Sequence, residues 1–283
     1  MEVELRRDVA QNDGRRTSPK RARRAQAGVL GTAAVKPRGS IYQKLLQIIL
    51  GVAFLFLGPF GAYAEEPSHG DYFVTGSIGD ARNLVPILAS DSSSSDIVGM
   101  VFNGLVKYDL NLILIGDLAK SWEILDGGLT IIFYLRDDVK WHDGVKFSAK
   151  DVEFTYKKLI DPKVATPYSG DFERVKSFEV IDDYTVKITY KEPFSPGLSS
   201  WGMAIMPEHI LKKEDLNKTE FSRHPIGTGP YKFKVWKTAE KIVLDFNPDY
   251  FEGRPYIDKY IYKIIPDEAT MFLELRTQSI DSM

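Results

Sequence analysis

The sequence predicts a mixed α/β fold, of the α+β kind, for residues 65–283. Three observations predict it. Paired runs of alternating apolar residues flank a turn in three places, which is the pattern of β-hairpins. Between the hairpins lie segments with the 3.6-residue spacing of amphipathic helices, one of them opened by a capping box. Hairpins followed by helical crossovers mix both element types in one domain. No stretch repeats another at a fixed period.

Residues 1–44 read as a disordered basic extension. Between Met1 and Lys44 eleven Lys and Arg stand against four Asp and Glu, with Arg pairs at Arg6-Arg7, Arg15-Arg16 and Arg23-Arg24. The stretch has no apolar periodicity and cannot bury a core. A nucleic-acid arm and a twin-arginine export signal are the functional alternatives. An upstream extension of the true start is preferred, because no hydrophobic run closely follows any Arg pair.

Residues 45–64, LLQIILGVAFLFLGPFGAYA, have the layout of a secretory signal peptide. Basic residues precede the run, Gly58-Pro59 breaks it, and Ala62-Tyr63-Ala64 is a small-x-small cleavage site. The competing reading is a retained membrane anchor, since the run is close to the ~20 residues a span needs. The break and the site favour cleavage after Ala64. The mature chain then begins at Glu65, in a compartment such as a Gram-negative periplasm.

Along that chain, Tyr72 to Ile78 reads as a first strand. Ser90 to Ser95 reads as a polar loop, its short side chains able to bond locally. Asp96 to Leu105 reads as a helix with Ile97, Met100, Val101 and Gly104 on one face. Leu118 to Glu123 and Leu129 to Leu135 form a hairpin about Asp126-Gly127-Gly128. Trp141-His142-Asp143-Gly144 is a turn. Ser148, with Asp151 three residues on, starts a helix running to Ile160. Phe178 to Asp182 and Thr185 to Tyr190 form the second hairpin, and Tyr231 to Trp236 and Ile242 to Phe246 the third. Pro207 to Lys212 is a short helix with Pro in its first turn. Tyr260 to Ile265 is a strand, and Asp267 caps a helix reaching about Arg276. Ser279-Ile280-Asp281 resembles the entry to another element, so truncation there is expected. Tyr260 to Ile265 is then expected to present an unpaired edge.

Composition excludes several functions. With no cysteine among 283 residues, disulfides, thiolate catalysis, cysteine metal sites and a cysteine-linked lipid anchor are all ruled out. A net charge of −2 gives no electrostatic case for a nucleic-acid partner. His69, His142, His209 and His224 lack metal-ligand spacing. Asp143 shapes a turn more plausibly than it orients His142, and Asp137-Asp138 and Asp182-Asp183 also sit in turns. Ser92 to Ser95 has no glycine elbow to present a nucleophile. No catalytic residue and no cofactor is expected.

Six blocks carry a resemblance. They are Gly104 to Asp109 (GLVKYD), Leu118 to Glu123 (LAKSWE), Leu129 to Gly144 (LTIIFYLRDDVKWHDG), Ile226 to Trp236 (IGTGPYKFKVW), Asn247 to Phe251 (NPDYF) and Gly253 to Pro255 (GRP). In this order they resemble the family 5 extracellular solute-binding proteins, the dipeptide-, oligopeptide- and nickel-binding components of ABC importers. The resemblance runs from about Tyr72 to Asp281. It implies a type II periplasmic-binding-protein-like fold of two lobes about a hinge, with ligand buried between them. Residues 65–283 would be the first lobe with its extra subdomain, and the second lobe would be absent. It further implies a monomer that captures peptides, a membrane permease as partner, and no catalysis. A secreted α/β hydrolase and a non-functional fragment are the alternatives.

The resemblance also suggests ligand-binding residues. Thr166-Pro167-Tyr168 resembles the segment whose tyrosine lines the cleft, so the Tyr168 phenol is expected to donate to a ligand carbonyl and offer its ring face. Ser90, Asp91 and Ser92 lie where family members pair with an extended ligand backbone. Ser90 replaces an acidic residue found there in some peptide binders, and a plain solvated turn is the competing reading. Thr228 and Gly229 belong to a block at the cleft edge, where glycine permits a positive φ and close approach to ligand. A structural turn feeding the Tyr231 strand is the preferred reading of that block. Trp201 lies in a segment that often reaches the cleft. Which solute is bound stays open.

Overall fold

A computed structural model describes residues 67–283, and Lys44 alone before them. The basic extension, the signal peptide and its cleavage site therefore fall outside the described residues. The chain divides into two units, Met1–Ala64 and Glu65–Met283, and the architecture below is that of the second. Among the described residues no helix is long and apolar enough to cross a membrane.

The elements follow as β1 (Gly70–Ser77), α1 (Ser92–Val101), β2 (Val106–Tyr108), β3 (Leu114–Gly116), β4 (Ala119–Leu125), β5 (Thr130–Leu135), α2 (Ala149–Leu159), α3 (Ser169–Phe172), β6 (Val175–Asp182), β7 (Thr185–Tyr190), α4 (Glu208–Leu211), β8 (Tyr231–Lys237), β9 (Lys241–Phe246), β10 (Ile257–Ile264) and α5 (Glu268–Arg276). One four-stranded sheet has the order β1-β10-β9-β8, another is antiparallel in the order β4-β5-β7-β6, and β2-β3 is a two-stranded ribbon. All three expected hairpins form, and the mixed α/β class holds.

Local chemistry explains the helix boundaries. At α2 the Ser148 N–H donates to Asp151 Oδ2 at 2.9 Å, half of the expected capping box. Asp151 is buried, and its Oδ1 also accepts the Glu208 N–H at 2.9 Å, so one carboxylate starts α2 and α4 together. At α5 Asp267 Oδ1 accepts the Thr270 N–H at 2.7 Å, as the cap reading requires.

Helix α1 begins four residues earlier than expected, and the serine run is its first turn rather than a loop. Asp91 is the N-cap, accepting the Ser94 N–H at 2.9 Å. Ser94 is fully buried; its Oγ donates to Asp91 at 2.7 Å and accepts the Arg82 N–H at 2.8 Å. Ser93 Oγ donates to the Gly79 carbonyl at 3.0 Å. Short hydroxyls favour loops in isolation, but these close the turn from β1. The β2–β3 ribbon was not foreseen, because three-residue strands are too short to display alternation.

Strand β10 corrects another expectation. It is interior to its sheet, with β1 parallel on one side and β9 antiparallel on the other. Its β1 partner lies nearly two hundred residues away, with Tyr72 opposite Lys259, so no local pattern signals the pairing. The final residues run along the outer edge of β1. The Asp281 N–H donates to the Val74 carbonyl at 2.7 Å, and the Gly76 N–H donates to the Ser282 carbonyl at 2.8 Å. Ile280 packs there into a small core with Val74, Ile265 and Met271. The main core holds Trp141, Trp201, Tyr190, Phe133 and Phe147, each almost fully buried.

Candidate functional site

A cavity of about 860 Å³ opens between α1, the strand-entry segment after it, α3 and the loop around Trp201. Its wall is mostly apolar, with Pro86, Ala89, Val98, Phe102, Met203 and others lining it. Polar groups gather at two places.

The first is a network on Asn103, which is 7% exposed. Its Nδ2 lies 3.0 Å from each Asp117 oxygen and 3.1 Å from the Tyr250 hydroxyl. Its Oδ1 accepts from Thr228 Oγ1 at 3.0 Å. Lys107 completes the group, 3.4 Å from Asp117 and in contact with Glu252. Burial pushes the Asp117 carboxyl above its ordinary value, and the Lys107 charge opposes that shift. Burial likewise raises the Tyr250 phenol. Buried polar groups this well partnered hold one another in place.

The second is the Tyr168 end. The phenol O–H donates to the Ala89 carbonyl at 2.5 Å, tying α3 to the segment before α1. This corrects the expected role of the hydroxyl: its proton is committed to backbone, while half-buried Tyr168 still lines the cavity. Asp171 also lines this end, its Oδ2 accepting from Ser200 Oγ at 2.6 Å.

The remaining residues suggested by the sequence lie elsewhere. Ser90 is exposed and Asp91 caps α1, with extended backbone at Ala89 (φ −71°, ψ 108°) and Asp91 (φ −98°, ψ 156°). Ser92 is exposed in the first turn of α1, and of this stretch Ala89 and Ser95 line the cavity. Thr228 sits behind the wall, supporting Asn103. Trp201 is 1% exposed and faces the core, its Nε1–H donating to the Tyr190 hydroxyl at 3.1 Å. Burial pushes that Tyr190 hydroxyl up to about 12.

Gly227 and Gly229 do make a close approach, but to this chain's own backbone. A Cβ on Gly227 would stand 1.8 Å from the Val101 carbonyl oxygen, and one on Gly229 2.6 Å from that of Met100. Neither has a positive φ. The Gly229 N–H donates to the Val101 carbonyl at 2.8 Å, so the loop is bound against the end of α1.

His142 clamps that loop from the other side. Its Nδ1 accepts the Gly227 N–H at 3.2 Å, and its Nε2 donates to the Gly229 carbonyl at 3.0 Å. This pairing needs the neutral ring, and burial lowers the His142 pKa from 6.5 to about 4. Below pH 6.5 the unfolded chain takes up a proton that the folded chain refuses. Stability therefore falls from about pH 6.5 down to pH 4 and levels off below it. His142→Gln removes this dependence. Urea denaturation is expected to show the stability gap between wild type and variant narrowing by roughly 2 kcal/mol from pH 7 to 4.5. A constant gap would mean that His142 titrates normally.

Asp143 accepts the Val145 N–H at 3.1 Å, as a turn residue should, and its other oxygen meets His209 Nε2 at 2.8 Å. Among the described residues no group of three or more His, Asp or Glu could hold a metal ion.

Residues 114–283 match the family described as bacterial extracellular solute-binding proteins, family 5 Middle. The chain belongs to this family. Family 5 solute-binding proteins are components of transport systems and not enzymes. The chain is 39% identical over 226 residues to the oligopeptide-binding protein AppA of Bacillus subtilis, covering 77% of this chain and 41% of AppA. The structure of AppA in complex with a nonapeptide superposes with a TM-score of 0.72 at 37% identity, over 76% of this chain and 44% of that one. NikZ from Campylobacter jejuni in complex with Ni(L-His) gives 0.70 at 36% identity, over 74% and 42%. DppA from Helicobacter pylori in complex with the peptide STSA gives 0.71 at 32%, over 76% and 47%. The fold is thus mixed α/β and matches part of the type II periplasmic binding proteins. The chain spans less than half the length of each of these relatives.

Family 5 blocks supply several cavity residues that sequence reasoning missed. Lys107 lies inside the Gly104 to Asp109 block and Tyr250 inside Asn247 to Phe251, while Asn103 and Asp117 immediately precede blocks. The signal was present as a cluster of motifs, but which side chains converge is a tertiary fact. Asp171 carried no signal.

Proposed function

We propose that this chain belongs to the solute-capturing component of an ABC importer, which binds peptides in the periplasm and presents them to a membrane permease. The observation that carries the reading is the cavity. Its volume of about 860 Å³ lies in the range of small-ligand sites, and an apolar wall with few polar groups suits side chains of varied shape. Between extended Ala89 and Asp91, the backbone of exposed Ser90 and the Asp91 N–H are left for strand-like pairing with a peptide. The peptide complexes of AppA and DppA support the same choice.

In this reading residues 65–283 form the first of two lobes, residues 45–64 direct export with cleavage after Ala64, and the protein acts as a monomer without a cofactor. Ligand contacts come from Tyr168 and from the backbone, not the side chains, of Ser90, Asp91 and Ser92, with Thr228 and Gly229 supporting the cavity network. Trp201 contributes from behind the wall.

The test is calorimetry on the full-length protein with a peptide mixture and, separately, Ni(L-His), the solute in the NikZ complex. Peptide binding is expected. Tyr168→Ala should weaken it by roughly 1–3 kcal/mol while leaving the circular dichroism spectrum unchanged, since it removes an aromatic face and frees the segment the hydroxyl anchors. Unchanged affinity would take Tyr168 out of the site. Uptake of Ni(L-His) with no peptide bound would sink the peptide reading.

A further inference from the structure

We propose that Asp171 makes the Tyr168 end of the cavity a subsite for a cationic group of the ligand, an inference that rests on the solute-binding reading above. Three charged side chains line the cavity: Lys107, Asp117 and Asp171. Two of them are already spent on each other. Lys107 stands 3.4 Å from Asp117 and contacts Glu252, and the Asn103 amide fills the remaining reach of the Asp117 carboxylate. A ligand charge placed there would have to break an ion pair whose carboxylate is buried, leaving Asp117 uncompensated, which is costly.

Asp171 is in the opposite situation. It is exposed in the wall, and among the described residues no Lys, Arg or His pairs with it. Its one side-chain partner is the neutral Ser200 hydroxyl, on Oδ2 at 2.6 Å, which orients the carboxylate and leaves Oδ1 without a partner among the described residues. A ligand that covers this carboxylate with an apolar or anionic group strips its water without replacement. A ligand that brings an ammonium or guanidinium replaces that water with a charge-assisted hydrogen bond.

The surroundings fit such a group. Tyr168, three residues earlier, lines the same end, and its hydroxyl is held by the Ala89 carbonyl. Pro86 and Pro167 add apolar surface. An apolar wall ending in a carboxylate accepts the methylene stem and charged head of a basic side chain, with the aromatic face adding a cation–π contribution. A peptide's α-amine offers the same charge without the stem. Both sources share one chemistry, and the experiment separates them.

The experiment is calorimetry on the full-length protein and on Asp171→Asn and Asp171→Glu, with three short peptide arms. One carries Lys with an acetylated N-terminus, one has a free N-terminus and neutral side chains, and one is acetylated and carries Glu in place of Lys. A panel of small non-peptide amines is run alongside. Wild type should prefer a cationic arm over the Glu arm by about tenfold or more; Asp171→Asn should collapse that ratio to about threefold or less, and Asp171→Glu should restore it. Preference for the acetylated Lys arm assigns the subsite to side chains, and preference for the free-amine arm assigns it to the α-amine. No preference in wild type, or one that survives Asp171→Asn, overturns the proposal. Amines bound in an Asp171-dependent way with no peptide bound would overturn the peptide reading and keep the subsite. Binding of nothing in the panel would overturn both.

Discussion

Gly227→Ala is expected to leave little folded protein, at a cost of about 4 kcal/mol or more. The added methyl would lie 1.8 Å from the Val101 carbonyl oxygen and 2.7 Å from its carbon. No rotamer relieves this, because Cβ has no rotamer and both opposing atoms are backbone. Moving the loop away breaks the Gly229 N–H bond to Val101 and the two bonds His142 makes to Gly227 and Gly229. It also pulls Thr228 from Asn103 and so loosens the cavity network. Gly170→Ala is the control, since a Cβ there meets nothing within 4 Å, and it should change stability by less than about 1 kcal/mol. Urea denaturation followed by circular dichroism checks both. A Gly227→Ala protein about as stable as wild type would mean that the loop does not seat against α1 as described.

Trp201→Ala should lower stability by about 3–5 kcal/mol, the range for deleting a large buried aromatic. The indole is 1% exposed, with ring centroids of Phe172, Phe178, Phe133 and Tyr156 at 5.2, 5.8, 6.0 and 6.3 Å. Its loss also leaves the buried Tyr190 hydroxyl without the donor it accepts from. Trp201→Phe keeps part of the packing but loses the donor and the volume of the second ring, so an intermediate loss of about 1–3 kcal/mol is expected. Because Ser199, Ser200 and Gly202 beside it line the cavity, both variants should weaken ligand binding in proportion to the loss of order. A Trp201→Ala protein that keeps its denaturation midpoint but loses ligand affinity would instead make Trp201 a contact residue.

Much of this was legible without coordinates. Turn chemistry at Asp126-Gly127-Gly128 and Asp182-Asp183, and caps at Ser148 and Asp267, are interactions among residues a few positions apart, so their pattern is written locally. Where a strong local preference competes, the pattern misleads: the serines before Asp96 have the chemistry of a loop because their hydroxyls bond backbone in loops too. Here those bonds reach the backbone of Gly79, Arg82 and Asn83, which only the folded chain brings close.

By itself the sequence determined the element types, the absence of cysteine chemistry and, through the order of its blocks, the family. The tertiary structure decided the rest. It joined β1 to β10, and it turned Gly227-Thr228-Gly229 from a possible ligand edge into a support wedged between Val101 and His142. It committed the Tyr168 hydroxyl to Ala89 and left Asp171 uncompensated while Lys107 neutralised Asp117. The physical reason is one of range. Caps and turns are settled by neighbours in the chain, whereas burial, charge compensation and hydrogen-bond satisfaction depend on groups that sequence distance does not order.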